Sequence, residues 1–229
     1  MLNNRKTPPK IGVLALQGAF IEHVKMLREL GAEAREVRLP EDLEGLDGLI
    51  IPGGESTAIG KLMTNWGLTE PIKEMATSGK AVWGTCAGMI LLAKDIGGLN
   101  QPLIGLMDIK VKRNAFGSQL DSFEADMDIP AIEKELHGTT GEASTQPFRG
   151  VFIRAPYIEQ VGSQAEELAR LEGPIAEQAQ TQPAPHGIQQ EIIVAARQRN
   201  LLATAFHPEL TGDTRFHQLF LKMVEERRG

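Results

Sequence analysis

Thiol-based acyl transfer needs a sulfur, a base and a group to hold that base, and this chain holds one set of residues that fits. Its single cysteine, Cys86, lies in Gly84-Thr85-Cys86-Ala87-Gly88. An apolar run, Ala81-Val82-Trp83, leads in, and Met89-Ile90-Leu91-Leu92-Ala93 leads out. That pattern predicts a strand, a sharp turn and a helix, with the sulfur at the turn. Glycines two residues to either side permit a tight backbone. The helix start adds unpaired N–H groups and the positive end of a dipole, both of which favour thiolate. With serine in place of cysteine, the same design is the nucleophile elbow of hydrolases. The bland alternative is a buried cysteine acting as a small hydrophobe.

The base is sought far downstream. Leu201-Leu202-Ala203-Thr204-Ala205-Phe206 reads as a buried strand and runs into His207-Pro208-Glu209. Alternate residues of an extended segment point the same way, so His207 and Glu209 are expected on one face, with Pro208 stiffening the link. His207 would then be the base and Glu209 the group that fixes its tautomer. Taken singly, each residue also fits a plain reading: a strand-end histidine and a solvated carboxylate.

Pro52-Gly53-Gly54-Glu55-Ser56 resembles a phosphate-binding turn but lacks the lysine of a P-loop and the spacing of a dinucleotide fingerprint. Its glycines suit a backbone N–H brought close to a reacting atom. An oxyanion hole built from Gly54 and Ala87 N–H groups is expected, although an ordinary tight turn fits the segment equally well. Arg113 and Arg154 each follow a strand-like run, where a guanidinium can fork onto a carboxylate or simply decorate the surface. No metal site is expected, because His23, His137, His186, His207 and His217 are scattered and no Cys/His cluster has zinc spacing. His23 falls on the first predicted helix and His217 on the last, where structural or interfacial roles are expected.

The elements that would position these residues alternate in type. Ile11 to Leu16 is a strand buried on both faces, and a helix fits residues 19–30 with Gly31 just past its end. Ala34 to Leu39 and Gly48 to Ile51 read as further strands. A helix follows the second of them, capped by Ser56 or Thr57. This βαβαβ rhythm predicts a mostly parallel sheet with helices on both faces, whose ligands gather at the carboxyl ends of the strands. Gln17, Gly53-Gly54, Cys86 and His207 all sit at such ends. Beyond residue 100 the runs shorten. Ile109-Lys110-Val111 and Gly150-Val151-Phe152-Ile153 are expected to add antiparallel strands to the sheet. A final helix is predicted over residues 213–226. Residues 173–190 are rich in Gln, Pro and Ala and read as a flexible loop. A single domain over residues 1–229 is expected, with residues 1–9 a short tail.

The chain has 229 residues and a formal net charge of −6, which gives no electrostatic reason to expect nucleic acid or an anionic membrane as a partner. One cysteine excludes an intrachain disulfide and suits a reducing compartment, so a cytoplasmic location is expected.

Taken together, these residues resemble the class I glutamine amidotransferases with their Cys-His-Glu triad. The segments Gly12 to Ala19, Pro52 to Thr57, Gly84 to Gly88, Arg113 to Gly117, Phe152 to Pro156 and His207 to Leu210 are similar to the glutaminase subunits of pyridoxal 5′-phosphate synthases. The resemblance implies an α/β fold of the class I glutamine amidotransferase type: a flavodoxin-like three-layer sandwich, mostly parallel with antiparallel additions. It implies hydrolysis of L-glutamine to glutamate and ammonia without a cofactor, and delivery of ammonia to a (β/α)8 synthase subunit. Glutamine contacts are implied at Gly54, Glu55, Ser56, Arg113, Ile153 and Arg154. Gln17, beside the predicted site, is expected to couple partner docking to the oxyanion hole. Ser118 departs from the pattern, where an arginine is expected, and the segment 173–190 is longer than the family's. Two rivals stay open: another cysteine hydrolase or amidotransferase subunit on the same fold, and an interaction module that does no chemistry.

Overall fold

The structure, a computed structural model, describes residues 7–113, 122–137, 146–172 and 191–228. The calls on Asn114 to Gly117, Ser118 and residues 173–190 lie outside the described residues. In chain order the elements are β1 (Lys10–Leu14), α1 (Phe20–Glu29), β2 (Glu33–Val37), β3 (Gly48–Ile51), α2 (Ser56–Asn65) and α3 (Thr69–Thr77). Then come β4 (Ala81–Thr85), α4 (Ala87–Leu92), β5 (Ala93–Asp95), β6 (Met107–Lys112), β7 (Ser122–Met127) and α5 (Pro130–His137). The chain closes with β8 (Phe148–Ile153), β9 (Tyr157–Val161), β10 (Glu166–Glu172), β11 (Glu191–Gln198), β12 (Leu201–Thr204) and α6 (Arg215–Glu225).

Among the described residues, ten strands form one sheet in the order β2-β1-β3-β4-β12-β11-β9-β6-β5, with β10 alongside β11. From β2 to β12 every neighbour is parallel. The inner strands among them are short and apolar, as sheets covered on both faces require: β3 reads Gly-Leu-Ile-Ile and β12 Leu-Leu-Ala-Thr, all buried. From β12 outward the pairing turns antiparallel through β11, β9 and β6.

Alternation along β4 assigns the two helical layers. Trp83 faces one way, with its ring against Phe216, His217 and Phe220 of α6 and His23 of α1. Gly84 faces the other way, onto α4. A Cβ there would lie 2.4 Å from the carbonyl of Gly88, and a Cβ on Gly88 would lie 1.9 Å from the Ile51 carbonyl. The two glycines let α4 sit directly on the strands, which aims its first turn at the sheet's rim.

Two sequence expectations are corrected. Gly150 to Ile153 belongs to β8, which leaves the main sheet and pairs with β7 in a separate two-stranded sheet. This ribbon is tied back by a 2.8 Å bond from His207 N to Val151 O. The cap of α2 is neither Ser56 nor Thr57 but Glu55. Its carboxylate accepts from Thr57 N at 3.0 Å and Ala58 N at 2.7 Å, because a longer side chain can reach two orphan N–H groups at once. Among the described residues no helix is long and apolar enough to cross a membrane.

Candidate active site

Cys86 follows β4 with φ 49° and ψ −103°, a left-handed backbone that a residue with a Cβ seldom adopts. Its N–H donates to Thr204 O at 2.8 Å, so the ladder between β4 and β12 holds the turn in place. The thiol is free and largely buried, 4.0 Å from Ile153 O. The chain turns directly into α4, leaving Ala87 N–H in the helix's first turn. Strain of this kind persists only where the surroundings over-determine it. Here they do: close packing of Gly84 on Gly88 on one side and the β12 ladder on the other.

His207 Nδ1 lies 2.7 Å from Glu209 Oε1, and the carboxylate is fully buried. The expected partners meet, but not by strand alternation. β12 ends at Thr204, and Pro208 opens a turn of 3-10 helix over Pro208–Leu210 that folds Glu209 back beneath the ring. Proline at the first helical position favours that turn, since its fixed φ suits it and its missing N–H would be unpaired anyway. Gly53 makes room for the imidazole: a Cβ there would lie 2.3 Å from His207 Cε1.

Cys86 and His207 share one cleft of about 300 Å³. Burial works to lower the His207 pKa. Hydrogen bonding and charge from Cys86 and then Glu209 outweigh it and push the value up to about 10. The direction is that of an imidazole that keeps its proton at neutral pH.

The same cleft is lined by Gln17, Gly54, Glu55, Ser56, Ala87, Arg113, Ile153 and Arg154, so the described residues singled out from the sequence for the site meet there, except Glu209, which is buried behind His207 and does not line the cleft. Glu55 is more engaged than expected. Besides capping α2, it lies 3.4 Å from Arg113 Nη2, and its N–H donates to Gln17 Oε1 at 2.9 Å. Burial opposes its charge, but the N–H groups of Thr57 and Ala58, with Arg113 beyond them, hold the carboxyl below its usual range. Arg154 has φ 43° at the end of β8 and is exposed toward the cleft.

Three residues of this region were not assigned to the site by sequence reasoning. Gln101 Oε1 accepts from Arg113 Nη1 at 2.8 Å, Thr57 Oγ1 at 3.1 Å and Ser56 Oγ at 3.2 Å, and so gathers the polar wall of the cleft. Its segment, Asn100-Gln101-Pro102, carries no sequence signal for this. His23 and His217, assigned separately to two helices, are both fully buried and bonded to each other at 2.9 Å behind Glu209. Their only sequence signal is a histidine on the apolar face of each helix. Among the described residues no group of three His, Cys, Asp or Glu side chains is arranged to hold a metal ion.

Comparison with known proteins decides the family. Residues 13–226 match the model of the SNO glutamine amidotransferase family. The chain belongs to that family. The pyridoxal 5′-phosphate synthase subunit PdxT of Moorella thermoacetica is 51% identical over 94% of this chain and 99% of its own. That of Herpetosiphon aurantiacus is 54% identical over 92% of this chain and 98% of its own. A crystal structure of a glutamine amidotransferase, 43% identical, superimposes with a TM-score of 0.77 over 94% of this chain and 98% of that one. The class I glutamine amidotransferase fold that the resemblance implied is therefore the observed one, with a mostly parallel sheet, antiparallel strands at one side and helices on both faces.

Proposed function

We propose that this amidotransferase is the glutaminase subunit of a pyridoxal 5′-phosphate synthase and works through Cys86, His207 and Glu209. One observation carries the catalytic part: Cys86, held at φ 49°, shares a cleft with His207, which is itself 2.7 Å from a buried carboxylate. A cleft of about 300 Å³ suits one amino acid rather than a polymer. The synthase assignment is supported by relatives at 51% and 54% identity over nearly the whole chain.

In this reading the Cys86 thiolate attacks the side-chain carboxamide carbon of L-glutamine. The oxyanion that forms is held by the N–H groups of Gly54 and Ala87, which line the cleft beside the sulfur. His207, charged in the resting pair, passes its proton to the departing nitrogen, and ammonia leaves with the C–N bond broken. A γ-glutamyl thioester remains. His207, now neutral, takes a proton from water, hydroxide adds to the thioester carbon, and glutamate leaves as the thiolate is restored. Glu209 keeps the Nδ1 proton in place throughout. Arg113 and Arg154 are the groups for the substrate's carboxylate, with Glu55, Ser56 and Ile153 completing the wall.

Ammonia would pass to the (β/α)8 synthase subunit. Gln17 is the coupling residue in this reading, because its bond to Glu55 N fixes the turn that carries Gly54. A partner that moved Gln17 would move that N–H. A reducing, cytoplasmic setting follows from a catalytic thiol that must stay free.

The test is an ammonia assay of the full chain, alone and mixed with a synthase subunit, alongside labelling of Cys86 by a glutamine-mimicking chloroketone. Ammonia release with labelling at Cys86 is the expected result, faster with the partner. Release with no partner effect removes the coupling role of Gln17. An unlabelled, inert protein in the presence of the partner removes the catalytic reading.

A further inference from the structure

Glu209 has two oxygens, and the proposed triad uses one. Oε1 meets His207, while Oε2 is buried, with His23 Nε2 at 3.3 Å as its polar neighbour and no well-aligned hydrogen bond. His23 Nδ1 in turn lies 2.9 Å from His217 Nε2. The ring of Trp83 stands edge-on to both imidazoles.

The protons of this chain can be assigned. If His23 carried its proton on Nδ1 and gave it to His217 Nε2, His217 would need its own proton on Nδ1. That atom is buried with no partner, and an unpaired N–H costs more there than a bare lone pair. A bare His23 Nε2 would also face a carboxylate oxygen at 3.3 Å, lone pair against charge. The opposite assignment removes both faults. His217 donates from Nε2 to His23 Nδ1, and His23 donates from Nε2 to Glu209. Burial, and for His23 also the neighbouring imidazoles of His217 and His207, keep both rings neutral: His23 is held well below its ordinary pKa and His217 is pushed down to about 3.

We infer that His23, oriented by His217, is the positioning residue of this active site: it holds the second oxygen of Glu209 and so fixes the carboxylate plane on which the His207 ring turns. The inference rests on the Cys86–His207–Glu209 reading given above. The long contact is expected to tighten when substrate binds, as apo catalytic bonds do. The groups facing Glu209 are His207 from its own turn and His23 from α1. Behind His23 stand His217 from α6 and, at 3.4 Å from Nε2, Thr85 Oγ1 from β4.

The test compares His23→Leu with His23→Gln, whose amide N–H stands where Nε2–H was, in the full chain assayed with its synthase partner. His23→Leu is expected to lower kcat by about tenfold to a hundredfold with KM changed less than about twofold. His23→Gln should recover most of the loss. Wild-type kcat in His23→Leu overturns the inference, and so does a His23→Gln variant as slow as His23→Leu. Should His23→Leu fail to fold, imidazole 15N spectra of the unmodified chain decide: a bare His23 Nε2 or a protonated His217 Nδ1 overturns it. Glu209→Gln separates the two proposals. Full glutaminase activity in that variant removes the triad, whereas loss there with none in His23→Leu removes only the role of His23.

Discussion

In the parallel half of the sheet, β1, β3, β4 and β12 run side by side and end at one rim, where Gln17, Gly54, Cys86 and His207 stand. In the antiparallel half, Arg113 follows β6, and Ile153 and Arg154 close β8, a strand outside the main sheet. The first group carries the proposed chemistry and the second the proposed grip on substrate. Parallel strands put like ends together, so their loops converge whatever their sequences. Antiparallel strands alternate their ends, and a loop reaches the site only if a specific contact brings it there. For β8 that contact is the His207 N to Val151 O bond. In the proposed reading the rim of the parallel strands holds the reacting atoms while a separately attached ribbon shapes the pocket, and the two halves should fail differently when altered.

Cys86→Ala gives the sharpest test of that division. It should cut ammonia release by about three orders of magnitude or more while leaving glutamine binding by the second group in place. In the same variant the His207 pKa, measured by NMR titration, should fall from its value near 10, because Cys86 heads the influences that raise it. The sign also sets a stability effect. A His207 pKa raised above its unfolded value near 6.5 contributes stability that is whole below pH 6.5 and lost as pH rises through about 10. Cys86→Ala should narrow that window, as read from urea midpoints across pH. An unmoved His207 titration would separate the thiol from the imidazole and break the first group apart.

Gly53→Ala should lower kcat by about a hundredfold without unfolding the chain, because its Cβ would press on His207 Cε1 and turn the base away from the sulfur. Arg113→Ala, in the other half, should raise KM about tenfold with a smaller change in kcat, measured by steady-state glutaminase kinetics. A kcat loss as large as that of Gly53→Ala would erase the distinction between the halves. The smallest effect belongs to Cys86→Gly. Relative to Cys86→Ala it should raise stability by about 1 kcal/mol, since glycine relieves the strain at φ 49°. A lower melting temperature than the alanine variant would show that the turn stores no strain.

The division also explains what could be read in advance. The placement of Cys86, Gly54 and Ala87 was legible because a strand, a glycine-rich turn and a helix occupy consecutive residues at each turn. His207 and Glu209 were paired correctly from a mistaken geometry: two residues apart suggested one face of a strand, and a 3-10 turn brought them together instead. β8 was placed in the wrong sheet, because an alternating run of six residues does not say which edge it will join. Gln101 was not seen at all. Its three donors come from residues 56, 57 and 113, and no local pattern marks a side chain whose role is to collect them.

From the order of its residues alone, this chain determined its strand–helix alternation, its glycine-flanked turn at Cys86 and the apolar stripes of its helices, since propensity, periodicity and glycine spacing act within a few positions of each residue. Only the packed structure decided that His23 and His217, 194 residues apart, would meet behind Glu209. Their approach depends on α1 and α6 both docking on the Trp83 face of the sheet, and a burial energy shared over two whole helices leaves no mark at either histidine.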